Sequence, residues 1–250
     1  MKEPEVIAHR GGREWAPENT LAAFRKSLEF GAAGIELDIQ RCSTGELVVI
    51  HDEDLARTTN GVGLVKDCSL GELRRLSAGA WFDKSFAEER IPLLAEVLEL
   101  VDGKMMINIE LKNAPIDYPE IEDDLLNVIE DYAHPEGLII SSFDHKLLDR
   151  LHAKADHLKI AILGAAVFLD LAELATRIGA TYFHPAFDCV RPDVMADARS
   201  AGLKVNVWTC NTQQDWRRAV KMEVDGIVTD DPEGLRRYLE KIAAGAVFPQ

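Results

Sequence analysis

The fold this sequence predicts is an α/β (β/α)8 TIM barrel with a small insertion after the hairpin of its second barrel strand. Three observations carry that expectation. Short apolar runs alternate along the chain with amphipathic stretches of about ten to fifteen residues, the rhythm of repeated β/α units. One pair of runs is spaced too closely for a parallel crossover. Setting that extra strand aside leaves eight, in a chain whose 250 residues match a barrel of this kind.

The candidate strands are Val6–His9, Ile35–Gln40, Leu47–His51, Ile107–Lys112, Leu138–Phe143, Lys159–Leu163, Thr181–Phe183, Val205–Thr209 and Gly226–Thr229. The first helix shows how the intervening stretches read. Asn19 or Thr20 can cap it, Leu21, Phe24 and Leu28 share a face, and Gly31 can end it. Only Arg41–Glu46 separates the second run from the third. A parallel connection needs a dozen or more residues, so these two runs must form an antiparallel hairpin, with Ser43-Thr44-Gly45 as its turn. Glu53–Arg90 then breaks the rhythm, with Gly61, Gly63 and Gly71 and a short helix over Leu70–Leu76, and reads as an insertion over one end of the barrel. The whole chain, 1–250, is expected to form one domain, with 53–90 as a small insertion subdomain. An open doubly wound sheet would want a glycine-rich phosphate loop after the first strand, and no GxGxxG follows Val6–His9.

Composition excludes several classes. At 47% hydrophobic and 28% charged, the chain is neither disordered nor fibrous. No apolar run approaches the roughly 18 residues of a membrane span, so stable membrane insertion is not expected. A net charge of −15 argues against nucleic acid as a partner. An anionic small-molecule substrate would therefore need positive charge supplied locally. The opening Met1–Ala8 has no apolar stretch of signal-peptide length, and Cys42, Cys68, Cys189 and Cys210 form no close pair. Reduced thiols and a cytoplasmic location are the expectation. No coiled-coil or repeat pattern fixes an oligomeric state, and the apolar tail Ala243–Gln250 leaves an oligomer open.

Side chains alternate across a strand. In Ile35–Gln40 one face is Ile35, Leu37, Ile39 and the other Glu36, Asp38, Gln40. In Ile107–Lys112 one face is apolar and the other is Asn108, Glu110, Lys112. A solvated edge strand would explain either pattern alone. Two such strands inside a β/α repeat instead point three carboxylates and a lysine into the barrel mouth, where they are costly unless paired or bound to a cation. The set is hard and all-oxygen, suited to Mg²⁺, Ca²⁺ or Mn²⁺. His9 ends the first strand inside His9-Arg10-Gly11-Gly12, at the rim where barrel active sites sit, with a phosphate-shaped cation beside it. His51 precedes Asp52. Folding the hairpin about Thr44-Gly45 puts residues 36 to 38 roughly opposite 51 to 53 and returns His51 to the carboxylates. Trp208 shares an inward face with Asn206 and offers a platform for a substrate's carbon skeleton. His184 follows the seventh candidate strand, Thr181–Phe183, and can reach the mouth. Two histidines to move protons, and cations to bear phosphoryl charge, fit metal-assisted cleavage of a phosphodiester.

These residues also resemble a known family. His9-Arg10-Gly11, Pro17-Glu18-Asn19-Thr20, Glu36-Leu37-Asp38, His51-Asp52, Arg57–Gly61, Ala80-Trp81-Phe82, Glu89–Pro92, Glu110-Leu111-Lys112 and Trp208-Thr209 look like the signature of the glycerophosphodiester phosphodiesterases, over about residues 5 to 235. The resemblance implies metal ligands at Glu36, Asp38 and Glu110, an acid/base pair at His9 and His51, and phosphate-binding cations at Arg10 and Lys112. It implies hydrolysis of glycerophosphocholine or glycerophosphoethanolamine to sn-glycerol 3-phosphate and an alcohol, with attack by the neighbouring glycerol hydroxyl and a cyclic phosphate on the way. Cys210 stands where the family more often has Val, which reads as a packing change. The same scaffold also allows a lysophospholipase D or sphingomyelinase D reading, which would want an apolar mouth. A sensing domain without turnover would be expected to lack one of these groups.

Overall fold

All nine expected strands form. In the computed structural model, which describes residues 3–245, they are β1 Glu5–Ala8, β2 Gly34–Arg41, β3 Leu47–Val49, β4 Met106–Leu111, β5 Leu138–Ser142, β6 Lys159–Gly164, β7 Ala180–Pro185, β8 Lys204–Val207 and β9 Gly226–Thr229. The α-helices are α1 Leu21–Phe30, α2 Leu70–Leu73, α3 Leu94–Val101, α4 Ile121–Ile129, α5 His145–Lys154, α6 Leu171–Arg177, α7 Pro192–Ser200, α8 Gln213–Lys221 and α9 Pro232–Ala243. The end of the apolar tail, 246–250, lies outside the described residues.

β1 pairs in parallel with both β2 and β9, so the first and last strands close the sheet. Around the barrel the order is β1, β2, β4, β5, β6, β7, β8, β9, and β3 stands apart as an antiparallel partner of β2. The reason for β3's place is geometric. β1 leaves β2 after Ala8 pairs with Ile35, which frees the edge of β2 that Leu47–Val49 then takes at Ile39–Arg41. The apolar faces of β2 and β4 (Ile35, Leu37, Ile39 and Ile107, Ile109, Leu111) are buried in one core with Leu94, Val97 and Val101 of α3. α1 starts where Thr20 accepts from the Ala23 N–H and stops at Gly31, whose left-handed φ of 73° closes the last turn.

The hairpin register differs by one residue from the sequence expectation. Ile39 pairs with Val49 and Arg41 with Leu47. The turn is a three-residue loop, Ser43–Gly45, closed by Cys42 N–H to the Glu46 carbonyl at 3.0 Å, with Gly45 at φ 102°. Asp38 therefore faces Ile50, whose N–H donates to the Asp38 carbonyl at 3.0 Å. β3 also ends at Val49, so strand alternation does not set the direction of His51.

The β2–β3 hairpin and the segment between β3 and α3 build a second, smaller core. Cys42, Val48, Ile50, Leu55, Val65, Leu73, Ala78 and Ile91 bury one another there, apart from the barrel core. The short helix within it is one turn, Leu70–Leu73, opened by a Ser69/Glu72 capping box, rather than the longer Leu70–Leu76. Arg74 then leaves the helix to grip Glu96 of α3 with both terminal nitrogens, at 2.6 and 2.7 Å. Among the described residues no helix is long and apolar enough to cross a membrane.

Candidate active site

The C-terminal ends of the barrel strands open onto a cavity lined in part by His9, Arg10, Glu36, His51, Glu110, Lys112 and Trp208. Seven of the eight residues singled out in the sequence thus share one cavity. The eighth, Asp38, is buried just beneath it and lies within 4.8 Å, ligand atom to ligand atom, of Glu36 and Glu110.

Strand alternation brings the carboxylates together. β2 and β4 pair with Glu36 beside Asn108 and Asp38 beside Glu110, all facing inward. Burial and mutual repulsion act on them unequally. The Glu36 carboxyl is pushed well above its ordinary range by burial, then by Asp38 and Glu110. Burial and Asp38 raise Glu110 to about 7, against the pull of Lys112. Asp38 is also desolvated, but Arg10, His51 and Lys112 outweigh that and hold it below its ordinary range. The Oδ1 of Asp38 is buried without a hydrogen-bond partner. Three inward carboxylates, one with an unpartnered oxygen, match a hard divalent cation of the Mg²⁺ or Ca²⁺ type.

The cations come from the loop after β1 and the end of β4. Beyond Ala8 the chain turns through Arg10, at φ 50°, and two glycines, at φ 83° and 91°. A Cβ on Gly12 would lie 2.4 Å from the Trp15 ring, so the loop requires glycine there. Trp15 lies outside the cavity lining; its indole N–H instead donates to the Gly11 carbonyl at 2.7 Å. The Arg10 N–H donates to Glu36 Oε2 at 3.0 Å, and its guanidinium Nε lies 3.2 Å from Asp38 Oδ2. Lys112 sits one residue beyond β4, with Nζ 2.7 Å from Glu110 Oε1 and 3.3 Å from His51 Nε2.

The two histidines approach different members of the triad. His9 Nε2 is 3.9 Å from Glu36, while His51 approaches the Glu110 side through Lys112. Each ring is oriented from behind by an aspartate. His9 Nδ1 meets Asp230 Oδ1 at 2.5 Å and His51 Nδ1 meets Asp52 Oδ1 at 2.6 Å. Gln40, whose role the sequence did not disclose, steers His51. Its amide nitrogen donates to the carbonyls of His51 and Asp52 at 2.9 and 2.7 Å, and the Tyr118 hydroxyl donates to its oxygen at 2.8 Å. Asn19 likewise supports Asp38, at 2.9 Å. Asp230 and Asn211 are two further residues that sequence reasoning missed. Asp230 directly follows β9, the end of a barrel strand at the site rim, and that position is the signal that points to it.

Trp208 lines the cavity, donates its indole N–H to the His184 carbonyl at 2.8 Å and meets Phe143 edge to face at 5.6 Å. His184 also reaches the cavity, but burial pushes its ring down to about 3 and Asn206 pairs with its Nε2 at 3.2 Å. It is a neutral wall rather than a proton carrier. Ser142 spends its hydroxyl on the Leu111 carbonyl.

Residues 9–234 match the model of the glycerophosphoryl diester phosphodiesterase family. A glycerophosphodiester phosphodiesterase of Caldanaerobacter subterraneus is 45% identical over 94% of this chain and 98% of its own. One of Bacillus altitudinis is 39% identical over 95% and 99%. Among solved structures, an Oleispira antarctica phosphodiesterase in complex with the product sn-glycerol-3-phosphate superposes with a TM-score of 0.88 at 28% identity, covering 95% of this chain and 97% of that one. The Agrobacterium tumefaciens glycerophosphodiester phosphodiesterase superposes at 0.80 and 29% identity, over 94% and 100%.

Proposed function

The chain belongs to the glycerophosphoryl diester phosphodiesterase family and is a phosphoric diester hydrolase acting on glycerophosphodiesters, and from that premise we propose how its own residues carry out the reaction. The substrates are small glycerophosphodiesters such as glycerophosphocholine and glycerophosphoethanolamine, and the products are sn-glycerol 3-phosphate and the free alcohol. The product bound by the Oleispira antarctica relative supports that assignment. Glu36, Asp38 and Glu110 would hold a divalent cation, Mg²⁺ or Ca²⁺, which would polarise a phosphoryl oxygen. Arg10 and Lys112 bind the remaining phosphoryl charge, and Trp208 packs on the carbon skeleton.

His9 and His51 divide the proton transfers. The glycerol hydroxyl next to the phosphate loses its proton to one ring as its oxygen bonds to phosphorus. The other ring gives a proton to the departing alcohol oxygen as its bond to phosphorus breaks. Water then opens the cyclic phosphate with the two roles exchanged. The observation that carries this reading is the pair of histidines approaching different members of one carboxylate cluster, each backed by its own aspartate. Residues 53–90 act as a small subdomain with its own core beside the barrel core, within a single domain. Four unpaired cysteines support a reducing, cytoplasmic setting.

The test is release of sn-glycerol 3-phosphate from both diesters, with Mg²⁺ or Ca²⁺ and with EDTA. Release from both that EDTA abolishes is expected. Release unaffected by EDTA would overturn the metal assignment. Turnover of lyso-lipid vesicles but not of the water-soluble diesters would favour a lysophospholipase D or sphingomyelinase D activity.

A further inference from the structure

We propose that Glu18 is a positioning residue that joins the two histidine–aspartate pairs into one unit, through Arg13 on one side and Arg57 on the other. The inference rests on the reading of His9 and His51 as the proton-transfer groups.

Glu18 lies in the loop before α1 with its side chain only 2% exposed. It accepts from three arginines. Arg10 Nη1 approaches at 2.7 Å, Arg13 Nε at 2.9 Å, and Arg57 forks onto both oxygens at 2.9 and 2.8 Å. Arg10 also reaches Asp38, and the other two guanidinium groups reach the aspartates behind the histidines. Arg13 Nη1 donates to Asp230 Oδ2 at 3.1 Å, and the other oxygen of Asp230 holds His9. Arg57 donates to Asp52 at 2.5 and 3.0 Å, and Asp52 holds His51. The chain of contacts is therefore continuous from one ring to the other and passes through a single buried carboxylate. Its halves come from distant parts of the fold. Asp230 follows the last barrel strand, whereas Arg57 lies in the insertion.

A buried carboxylate gathering three guanidinium groups is weak evidence for stability, because desolvation offsets much of the attraction. Its use is geometric. A planar guanidinium that forks between two carboxylates fixes the direction of each. Here that fixes Asp230 and Asp52, hence the faces their histidines present to the cavity. Burial, which pushes the Glu18 carboxyl up, is outweighed by Arg57 and Arg10, which hold it ionised. The insertion must then be seated on the barrel for both rings to be aimed at once.

The experiment is a kinetic double-mutant cycle of Arg13→Met and Arg57→Met with glycerophosphocholine at saturating divalent cation. Both side chains are more than a third exposed, so the variants should fold. Each single change is expected to lower kcat about tenfold with KM within about threefold, as loss of aim rather than of binding would. If the groups act as a unit, the double variant falls no more than about threefold below the worse single one. Glu18→Gln, where it folds, should lose about as much kcat as the double variant. Multiplicative losses, about a hundredfold in the double variant, would overturn the coupling. Losses confined to KM would overturn it too. His9→Ala and His51→Ala separate this from the underlying reading: abolished turnover in both with multiplicative arginine losses defeats the coupling alone, whereas retained turnover defeats the histidine roles and the proposal together.

Discussion

Replacing Asp230 by Asn should damage the enzyme more than replacing it by Ala. The structure dictates which way an Asn side chain must turn. Asp230 Oδ2 accepts from Arg13 at 3.1 Å and from Asn211 at 2.8 Å, so the amide oxygen of Asn must occupy that position. Its NH2 group then faces His9 Nδ1, where Oδ1 now sits at 2.5 Å. That nitrogen becomes an acceptor, the ring keeps its proton on Nε2, and Nε2, the atom nearest the carboxylate cluster, can no longer take one. The same inversion behind a catalytic histidine costs about 10⁴ in kcat in serine proteases. Arg13 and Asn211 hold the inverted amide firmly, so Asp230→Asn should lose at least about 10³ in kcat, or about 4 kcal/mol of transition-state stabilisation. Asp230→Ala frees the ring without inverting it and should lose about 10 to 100-fold. Both are read from steady-state kinetics on glycerophosphocholine, with circular dichroism to check folding. An Asp230→Asn enzyme no slower than Asp230→Ala would refute the tautomer argument. One within about threefold of wild type would refute the role of the pair altogether.

Two further predictions concern the carboxylates. Glu110→Ala should abolish turnover and weaken divalent-ion binding measured by calorimetry, because it removes one of the three clustered carboxylates; full activity would sink the ligand assignment. Glu122, buried in the first turn of α4, is gripped by Arg150 at 2.7 Å and by Lys154 at 3.4 Å. Burial raises its carboxyl, but Arg150 and Lys154 outweigh that and hold it below the ordinary value. A depressed folded-state value means that the contribution is complete above the unfolded value of about 4.3 and is lost as pH falls through the folded one. Glu122→Gln should therefore lose about 1 kcal/mol at pH 7, the partners being half exposed, and progressively less below about pH 4. Urea midpoints that stay equally far apart at pH 7 and pH 3 would contradict this.

The sequence carried what depends on periodicity within one element. Alternation in β2 and β4 is enough to set Glu36, Asp38 and Glu110 on one face, and a six-residue gap, Arg41–Glu46, is enough to make β3 antiparallel. The short motifs around His9, Arg10 and Lys112 lie at strand ends, which a barrel always brings to one rim. The alternation argument stopped being valid at Val49. The hairpin turn holds three residues, which shifted the register by one, and beyond it Gln40 aims His51 by hydrogen bonds to loop carbonyls that no pattern of apolar residues encodes.

The partners of the site residues were decided by tertiary structure. His9 and Asp230 stand 221 positions apart and meet only because β1 pairs with β9 to close the sheet. Glu18 and Arg57 stand 39 apart and meet only because the insertion packs its own small core against the barrel rim. A sequence specifies local geometry through the few residues of each strand or helix. Which charged side chain satisfies which other, once buried, is settled by closure of the whole barrel, because only then does each carboxylate lose water and require a named partner.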